Sequence, residues 1–331
     1  MDQPFRLFRE VSAEDIKKIF IRSLGESQLW SASLMDGGLF NTTYHVTYGA
    51  ERKEAVLRLG PVNRQFLMGH EENLMRAEAE VCRLCAERGI PCSRVLVLDC
   101  SRTMLDRDYM IVEYIPSAAM NRAELTGEER DALYQEMGAW LRRFHGIVGD
   151  GFGFVSRILE GKRFSSWGDA LLFETEDILG RMERYLDFDG RAVREAFCRN
   201  KPLLDRAGPG RLLHTDMWEG NVLLDRETHK ILALIDGDRA VYGDPDFEFA
   251  SSWMENPALL RGYGIDPEEE VEPERRQRRI LYRIFYALLE AYVDFEKYGS
   301  RRRCDSEIPH INRLLAELVP YESKTIGRTK P

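Results

Sequence analysis

Apolar and polar residues alternate along several short segments in the first third of the chain, a pattern typical of half-buried β-strands. Five such segments occur, at residues 28–34, 43–48, 54–59, 95–98 and 109–114. Between the third and the fourth, residues 71–88 place apolar side chains at helical spacing, and Gly89 and Pro91 follow as helix-ending residues. The pattern predicts a five-stranded antiparallel sheet with one inserted helix. A further surface helix is predicted over residues 12–24, with Ser12 as its N-cap.

The pattern changes after Tyr114, where residues 115–118 form a short connector. Helical spacing predominates beyond it, at residues 128–144, 166–186, 191–200, 246–254, 273–298 and 308–318. Three short apolar strands interrupt the helices, at residues 212–213, 222–224 and 231–235. A chain of 331 residues exceeds what one hydrophobic core usually serves. We therefore predict an α+β chain of two lobes, an N-lobe at residues 1–114 and a mainly helical C-lobe at residues 115–331.

The composition is that of a soluble globular protein, with 44% hydrophobic and 31% charged residues. A formal net charge of −9 disfavours nucleic acid or an anionic membrane as a partner. No apolar run approaches the roughly 20 residues that a bilayer span needs, and the polar start Met1-Asp2-Gln3-Pro4 lacks the order of a signal peptide. We expect a cytoplasmic protein with reduced cysteines, either a monomer or a homodimer.

Polar residues suited to phosphoryl transfer cluster between residues 214 and 238. His214, Asp216 and Asn221 share one loop after a predicted strand, and the strand at residues 231–235 ends in Asp236. An Asp and an Asn five residues apart can point into one cleft, the Asp toward an acceptor hydroxyl and the Asn toward a metal ion. Asp236 would complete a set of hard oxygen ligands, which suits Mg²⁺. Polar loop residues that cap neighbouring helices are the alternative interpretation.

The order and spacing of these residues resemble the aminoglycoside phosphotransferase and choline kinase-like family of protein-kinase-like small-molecule kinases. The family's H-x-D-x-x-x-x-N loop matches His214, Asp216 and Asn221, and its metal-binding I-D matches Ile235-Asp236. The family pattern continues downstream into Gly243-Asp244-Pro245, Asp246 and Glu248. The resemblance implies a bilobal protein-kinase-like fold with ATP or GTP as co-substrate. It further implies that Asp216 is the catalytic residue, that His214 braces the loop, and that Mg²⁺ is bound by Asn221 and Asp236.

A glycine pair stands at the turn between the first two predicted strands, in the sequence Gly37-Gly38-Leu-Phe-Asn41-Thr42. Glycine allows backbone N–H groups to approach phosphates closely. The segment resembles the short nucleotide loop of this family, which implies nucleotide contacts from Gly37, Gly38, Asn41 and Thr42. An ordinary hairpin turn is the alternative.

Arg58 occupies the strand position at which a kinase carries its phosphate-binding lysine. The substitution departs from the family pattern, but an arginine is always charged and can bind phosphate bidentately. The match of residues 77–80 to the family's helix implies that Glu78 is the partner of Arg58, with Glu80 as the second choice on a different helix face.

Residues Glu113, Tyr114 and Ile115 resemble the hinge that presents backbone groups to the edge of a purine. Packing of an edge strand explains the same residues equally well. Trp218 lies inside the catalytic loop near Asp216, and it is the tryptophan placed for contact with an acceptor.

Two functions other than a kinase could use some of the same residues. A metal-dependent hydrolase could use His214, Asp216, Asp236 and Asp238 as ligands, but it would leave Asn221 and the glycine turn unexplained. A kinase-like protein that holds nucleotide without turnover is the second rival, because the usual lysine is replaced.

The acceptor is the least specified partner. Members of the family that this chain resembles phosphorylate aminoglycosides and other antibiotics, choline, homoserine, methylthioribose or amino sugars. Acidic residues on the predicted C-lobe helices would suit a cationic acceptor such as an aminoglycoside, although they can equally be solvated helix faces. These residues are Glu174, Glu176, Asp177, Glu255, Glu290 and Asp294.

Overall fold

The computed structural model describes residues 6–35, 40–299 and 301–319, and a five-stranded antiparallel sheet forms its first part. The strands are β1 (Leu29–Leu34), β2 (Thr42–Tyr48), β3 (Lys53–Leu59), β4 (Val95–Asp99) and β5 (Tyr109–Glu113). They lie in the order β1-β2-β3-β5-β4. The predicted sheet is confirmed, and each strand end lies within one residue of its predicted position.

Two helices cover opposite faces of this sheet: α1 (Ala13–Leu24), whose N-cap is Ser12, and α2 (Leu74–Glu87). Successive residues of a strand point to opposite faces. Leu57 of β3 accordingly packs with Ile19 of α1, whereas its neighbour Val56 packs on the side of Met75 of α2. Arg58 has the same parity as Val56. The sequence alternation thus directs its side chain toward α2.

The C-lobe is mainly helical, as predicted. Its helices are α3 (Gly127–Phe144), α4 (Val155–Ile158), α5 (Trp167–Leu186), α6 (Arg191–Leu204), α7 (Pro245–Glu248), α8 (Pro257–Tyr263), α9 (Pro273–Tyr298) and α10 (Arg301–Glu317). Helix α9 packs against α5, α6, α7 and α10, and many of its apolar side chains are fully buried. No helix in the described ranges is long and apolar enough to cross a membrane.

Short strands among these helices form two three-stranded sheets that carry the polar motif. The strands are β6 (Ala118–Ala119), β7 (Gly153–Phe154), β8 (Arg211–Leu213), β9 (Val222–Leu224), β10 (Ile231–Leu234) and β11 (Val241–Gly243). One sheet has the order β10-β9-β6 and the other β7-β11-β8. Because the end of β10 pairs with the start of β9, the polar loop between β8 and β9 lies next to the turn that follows β10.

Several predicted helices differ from the structure in their bounds. Helix α2 begins at Leu74 and not at residue 71, and helix α6 ends at Leu204 and not at residue 200. The helix expected over residues 246–254 is instead the single turn α7 followed by a separate 3₁₀ turn, Ser252–Met254. The Ser251 hydroxyl donates to the Glu248 carbonyl oxygen at 2.9 Å, which takes the acceptor that a continuing helix would use. Helix α10 begins at Arg301 and not at residue 308, and it runs through Pro309, whose ring removes one backbone donor.

Candidate functional site

His214 follows directly after β8 and is held on both sides of its ring. Its backbone N–H donates to Glu248 Oε2 at 2.7 Å, and the N–H of Thr215 donates to Oε1 at 2.9 Å. The ring donates from Nε2 to the Ile235 carbonyl oxygen at 3.1 Å and accepts at Nδ1 from the Asp216 N–H at 3.3 Å. These bonds require a neutral imidazole with its proton on Nε2. Burial lowers the pKa of His214, which favours that form.

Asp216 lies beside Asn221 in the same loop. The Asn221 Nδ2 group donates to the Asp216 carbonyl oxygen at 2.8 Å and to its Oδ2 at 3.0 Å. The Asn221 carbonyl oxygen in turn accepts from the Ile235 N–H at 2.9 Å, which ties the loop to the end of β10. Burial, followed by the negative charge of Asp236, raises the pKa of Asp216 to about 7. Since the NH₂ group of Asn221 is a donor and points at Asp216, the side-chain oxygen is the atom that Asn221 can offer a cation.

Arg58 reaches two carboxylates from the α2 face of β3. Its Nη1 contacts Glu78 Oε1, and its Nη2 lies 2.6 Å from Asp236 Oδ1. The side chains of Arg58 and Glu78 are 11% and 6% exposed, so the pair is largely shielded from water. Glu78 is therefore the helix partner of Arg58, as predicted, whereas Glu80 pairs with Arg83 on the surface. The contact with Asp236 was not predicted.

Three carboxylates crowd together around this arginine. Glu78, Asp236 and Asp238 each place one oxygen atom within 4.8 Å of the others. Burial raises the pKa of Glu78 to about 7, and burial together with Asp236 raises the pKa of Asp238 well above its ordinary value. Burial also acts on Asp236, but the charge of Arg58 outweighs it and the pKa is lowered. One guanidinium thus faces three carboxylates, and this set of hard oxygen donors fits a divalent cation such as Mg²⁺.

The residues predicted for the nucleotide loop are only partly described. Gly37 and Gly38 lie outside the described residues. Asn41 is buried, and its side-chain oxygen has no hydrogen-bond partner within the described part of the chain. Thr42 is fully buried, and its hydroxyl donates to the Arg9 carbonyl oxygen at 3.1 Å. This placement of Thr42 favours a packing role over nucleotide contact.

The hinge residues stand at the end of β5. Glu113 is exposed, and its carboxylate and its backbone N–H bind the side chain and the carbonyl oxygen of Arg94, at 3.0 and 2.9 Å. The Tyr114 ring stacks on His45 with ring centroids 4.1 Å apart. The Ile115 carbonyl oxygen accepts from a nearby serine hydroxyl at 2.9 Å. His45 was not predicted to take part, and its place beside Tyr114 follows from β2 lying in the same sheet.

The family model described as the phosphotransferase enzyme family matches residues 31–281, a span that includes the β-sheet, the catalytic loop and the carboxylate cluster. The chain belongs to this family. Its bilobal α+β architecture agrees with the resemblance seen in the motifs.

Similar proteins cover different shares of the chain. The mouse acyl-CoA dehydrogenase family member 10 is 24% identical over 277 residues, which are 79% of this chain and 24% of the mouse protein. A probable ketoamine kinase of Enterococcus faecium is 31% identical over 126 residues, which are 37% of this chain and 40% of that kinase. The chain thus spans less than half the length of both relatives. Among solved structures, a GDP and kanamycin complex of APH(2″)-IIIa is similar, with a TM-score of 0.62 and 12% sequence identity. The match covers 91% of this chain and 98% of that protein's chain, and at this identity it shows a shared fold.

The phosphotransferase fold brings further charged residues toward Asp216 that sequence reasoning missed. Arg239 donates from Nη2 to Glu71 Oε1 at 2.8 Å, and its guanidinium lies 4.7 Å from the centre of the Phe40 ring. Lys297 approaches the same ring, with its Nζ 4.5 Å from the centre. Arg239 directly follows Asp238 in the sequence, so its position next to the motif could have indicated that it lies in the site. Glu71 and Lys297 carried none, because only tertiary packing brings them to this place.

Most of the acidic residues considered for a cationic acceptor are neutralised within the phosphotransferase. Buried Glu174 binds Arg157 Nε at 3.1 Å, and Glu176 binds Arg194 Nε at 2.7 Å. The remaining arginine pairs are Asp177 with Arg181 at 3.3 Å and Glu255 with Arg283 at 3.2 Å. Burial raises the pKa of Glu290 beside Glu307 and Asp294. Helix faces stabilised by ion pairs account for these residues better than a cation-binding surface does.

Trp218 is one of the larger exposed apolar side chains in the described residues, at 42%. Its indole packs over Gly220, where an added Cβ would stand 2.3 Å from a ring atom. Gly220 is thus needed for this ring position, and contact between Trp218 and an acceptor stays a prediction.

Proposed function

We propose that this chain transfers the γ-phosphoryl group of ATP or GTP to a hydroxyl of a small molecule. The observation that carries the proposal is the meeting of Asp216, Asn221 and Asp236 with Arg58 in one shielded cleft. Phosphoryl transfer depends on positioning and on charge neutralisation, and these residue types supply both.

The reaction assigns one task to each group. The acceptor oxygen forms a bond to the γ-phosphorus while the bond from phosphorus to the β,γ-bridging oxygen breaks, and the nucleoside diphosphate leaves with that electron pair. Asp216 orients the acceptor hydroxyl and takes its proton, a task that its pKa of about 7 suits. Arg58 binds phosphate oxygens, and Glu78 holds Arg58 in place. Mg²⁺ held by Asn221 and Asp236 would neutralise charge on the phosphates.

The nucleotide is proposed to lie between the N-lobe, residues 1–114, and the C-lobe, residues 115–331. In this arrangement the phosphates would be contacted by the residues predicted for nucleotide binding, Gly37, Gly38 and Asn41. Glu113 to Ile115 would contact the base, with Tyr114 and His45 as its aromatic neighbours.

A hydrolase is disfavoured by the geometry of His214. Both ring nitrogens are engaged, one with the Ile235 carbonyl oxygen and one with the Asp216 N–H, so neither is free to bind a metal. The group of metal-ligating side chains found among the described residues consists of carboxylates alone.

For the acceptor, two chemistries are supported by similar proteins. The structural neighbour complexed with kanamycin supports an aminoglycoside-like acceptor, and the ketoamine kinase relative supports a metabolic one. A protein that binds nucleotide without turnover remains the other alternative.

Nucleotide turnover with Mg²⁺ tests the proposal directly. We expect wild-type protein to convert ATP or GTP to the diphosphate in the presence of a hydroxylated acceptor, and Asp216→Asn and Asp236→Ala to lose this activity. Nucleotide binding without any turnover would favour the silent binder. Unchanged turnover in both variants would exclude the mechanism described above.

A further inference from the structure

The ammonium group of Lys297 lies beside the proposed phosphoryl-transfer site, and it has no ion-pair or hydrogen-bond partner within the described residues. Lys297 stands one residue before the end of α9 and is 8% exposed. Within the described residues, its Nζ makes no ion pair or hydrogen bond, and the contact it does make is with the face of Phe40 at 4.5 Å. Burial, followed by the charge of Arg239, lowers the pKa of Lys297 to about 8. The ammonium is therefore an unused donor in a shielded place.

Arg239, the second cation over the Phe40 ring, is already ion-paired with Glu71. Arg239 donates to Glu71 Oε1 at 2.8 Å, and Glu71 Oε2 accepts from the Met68 N–H at 3.0 Å. Both oxygens of Glu71 are thus engaged. Glu71 balances Arg239, and this leaves the charge of Lys297 without a counterpart.

Glu296, the neighbour of Lys297 along α9, does not balance its charge. The Glu296 side chain is fully buried, neither carboxyl oxygen accepts a hydrogen bond from a donor group in the described part of the chain, and the carboxyl group lies next to that of Glu71. Burial, followed by the charge of Glu71, raises the pKa of Glu296 well above its ordinary value. A neutral carboxyl contributes no negative charge. Lys297 therefore has no ion-pair partner among the described residues, although Glu71 and Asp216 lie near enough to act on its charge.

Lys297 belongs to the acceptor side of the cleft. The acids that act on it most strongly are Glu71, Glu296 and Asp216. Arg58 instead responds to Glu78, Asp236 and Asp238, the three carboxylates that surround it, of which Asp236 is a proposed Mg²⁺ ligand. The two cations thus serve different parts of the site. Arg58 contacts Asp236, the proposed metal ligand. Lys297 shares the Phe40 ring with Arg239, and the Arg239 carbonyl oxygen accepts from the hydroxyl of Thr215, the residue before Asp216, at 2.9 Å.

We infer that the acceptor is a hydroxylated small molecule that also carries an oxyanion, which Lys297 binds with Arg239 as the second cation. The inference rests on the proposed function, because Asp216 defines where the acceptor lies. An oxyanion supplies the acceptor atoms that an ammonium and a guanidinium require. The alternative, a polycationic acceptor, would place like charges together, which is unfavourable.

A calorimetric titration with four related sugars tests the inference. Gluconate carries a carboxylate and glucose 6-phosphate a phosphate, whereas glucose is neutral and glucosamine is cationic. Each is titrated into wild-type protein that is saturated with Mg²⁺ and a non-hydrolysable ATP or GTP analogue. Lys297→Met removes the charge, Lys297→Arg keeps it, and Lys53→Met is the control at an exposed lysine of β3.

We expect an anionic sugar to bind wild type at least about tenfold more tightly than glucose and glucosamine. Lys297→Met should abolish this preference, while Lys297→Arg and Lys53→Met should keep it. The better of the two anionic sugars then identifies carboxylate or phosphate as the bound group. Thermal unfolding of Lys297→Met shows that the variant is folded.

Two results would overturn the inference. The first is no preference for the anionic sugars, including no binding of any sugar, and the second is a preference that survives in Lys297→Met. Either result would leave the proposed function standing if wild type turns over nucleotide and Asp216→Asn does not. Failure of wild type to bind or turn over any nucleotide would remove the proposed function and the inference together.

Discussion

The guanidinium of Arg58 lies 2.6 Å from the carboxylate of Asp236, although 178 residues separate them along the chain. The same guanidinium contacts Glu78 on α2, so one side chain joins the sheet, the helix and the turn after β10. An arginine can serve two carboxylates at once because its donors form a rigid fork. The arginine at the usual lysine position therefore has a distinct geometric task.

Two substitutions of Arg58 should distinguish the effect of its positive charge from the effect of its forked shape. We expect Arg58→Met to lower kcat/KM for the nucleotide by roughly 10²-fold, because a preorganised phosphate contact is lost. Arg58→Lys should recover part of the loss, since it restores a point charge without the fork. Steady-state kinetics with varied nucleotide measure both effects. Arg52→Met, in the turn between β2 and β3 and packed on Trp30, is the matched control. Equal kcat/KM in Arg58→Met and Arg52→Met would contradict the assignment.

The carboxylate cluster predicts a dependence on divalent cation. A chelator should stop turnover, and added Mg²⁺ should restore it. Asp238→Asn should raise the Mg²⁺ concentration for half-maximal activity by roughly 10- to 100-fold, as for a residue that supports the metal ligands. Asp236→Asn should remove activity that added Mg²⁺ cannot restore. Full activity in the presence of chelator would show that the cluster does not serve a metal.

Glu248 holds the loop that begins at His214, so its substitution should lower the free energy of unfolding. Its two oxygens accept the backbone N–H groups of His214 and Thr215, and Thr215 has a left-handed backbone with φ of 66°. Glu248→Gln keeps the size but removes the charge, so we expect a loss of about 1.5–3 kcal/mol in the free energy of unfolding. Chemical denaturation measures this loss. Glu255→Gln, an acid 63% exposed in its pair with Arg283, should change the free energy by under about 1 kcal/mol.

Asp246 anchors the start of α9. Arg275 and Arg279 each approach its carboxylate at 2.8 Å, and Arg278 approaches it at 3.4 Å. The side chain of Asp246 is only 4% exposed, so Asp246→Asn leaves three arginines without their shared anion. We expect a loss of about 3 kcal/mol in the free energy of unfolding, the lower end for a broken buried pair because Arg275 is 41% exposed. A loss no larger than that of Glu255→Gln would contradict this role.

The same residue gives a pH dependence of known sign. Burial tends to raise the pKa of Asp246, but the arginine hydrogen bonds and charges outweigh it and lower the pKa. A lowered carboxylate pKa stabilises the fold above the ordinary value of about 3.9, and this contribution is lost as the pH falls through the folded-state pKa. The difference in unfolding free energy between wild type and Asp246→Asn should therefore shrink below about pH 4. Denaturation curves at pH 7 and below pH 4 measure it, and a constant difference would contradict the assignment.

Local periodicity was enough to predict much of the fold. The pairing of Arg58 with Glu78 was implied by the resemblance of their segments to elements of the family, and alternation along β3 agrees with it because it turns Arg58 toward α2. The loop from His214 to Asn221 was recognisable because its chemistry requires fixed spacing between short strands.

Other features depended on long-range packing and left no local signal. Lys297 looked like the end of an amphipathic helix, and Glu71 lay near the predicted start of another. Three arginines near the start of α9 converge on Asp246, which lies in a different predicted helix. The helix expected over residues 246–254 ended early because the hydroxyl of Ser251 competed for a backbone acceptor. A sequence pattern does not specify which distant element receives a side chain.

The bridge from Glu78 through Arg58 to Asp236 also limits how this chain can tolerate mutation. Neutral substitution of Arg58 leaves two carboxylates without their shared cation, which is more harmful than exchanging the partners together, whereas neutral substitution of Glu78 or Asp236 leaves Arg58 with one carboxylate instead of two. The effects of changes at these positions should therefore be strongly non-additive. Substitutions at one of them are then tolerated only in backgrounds where another has already changed.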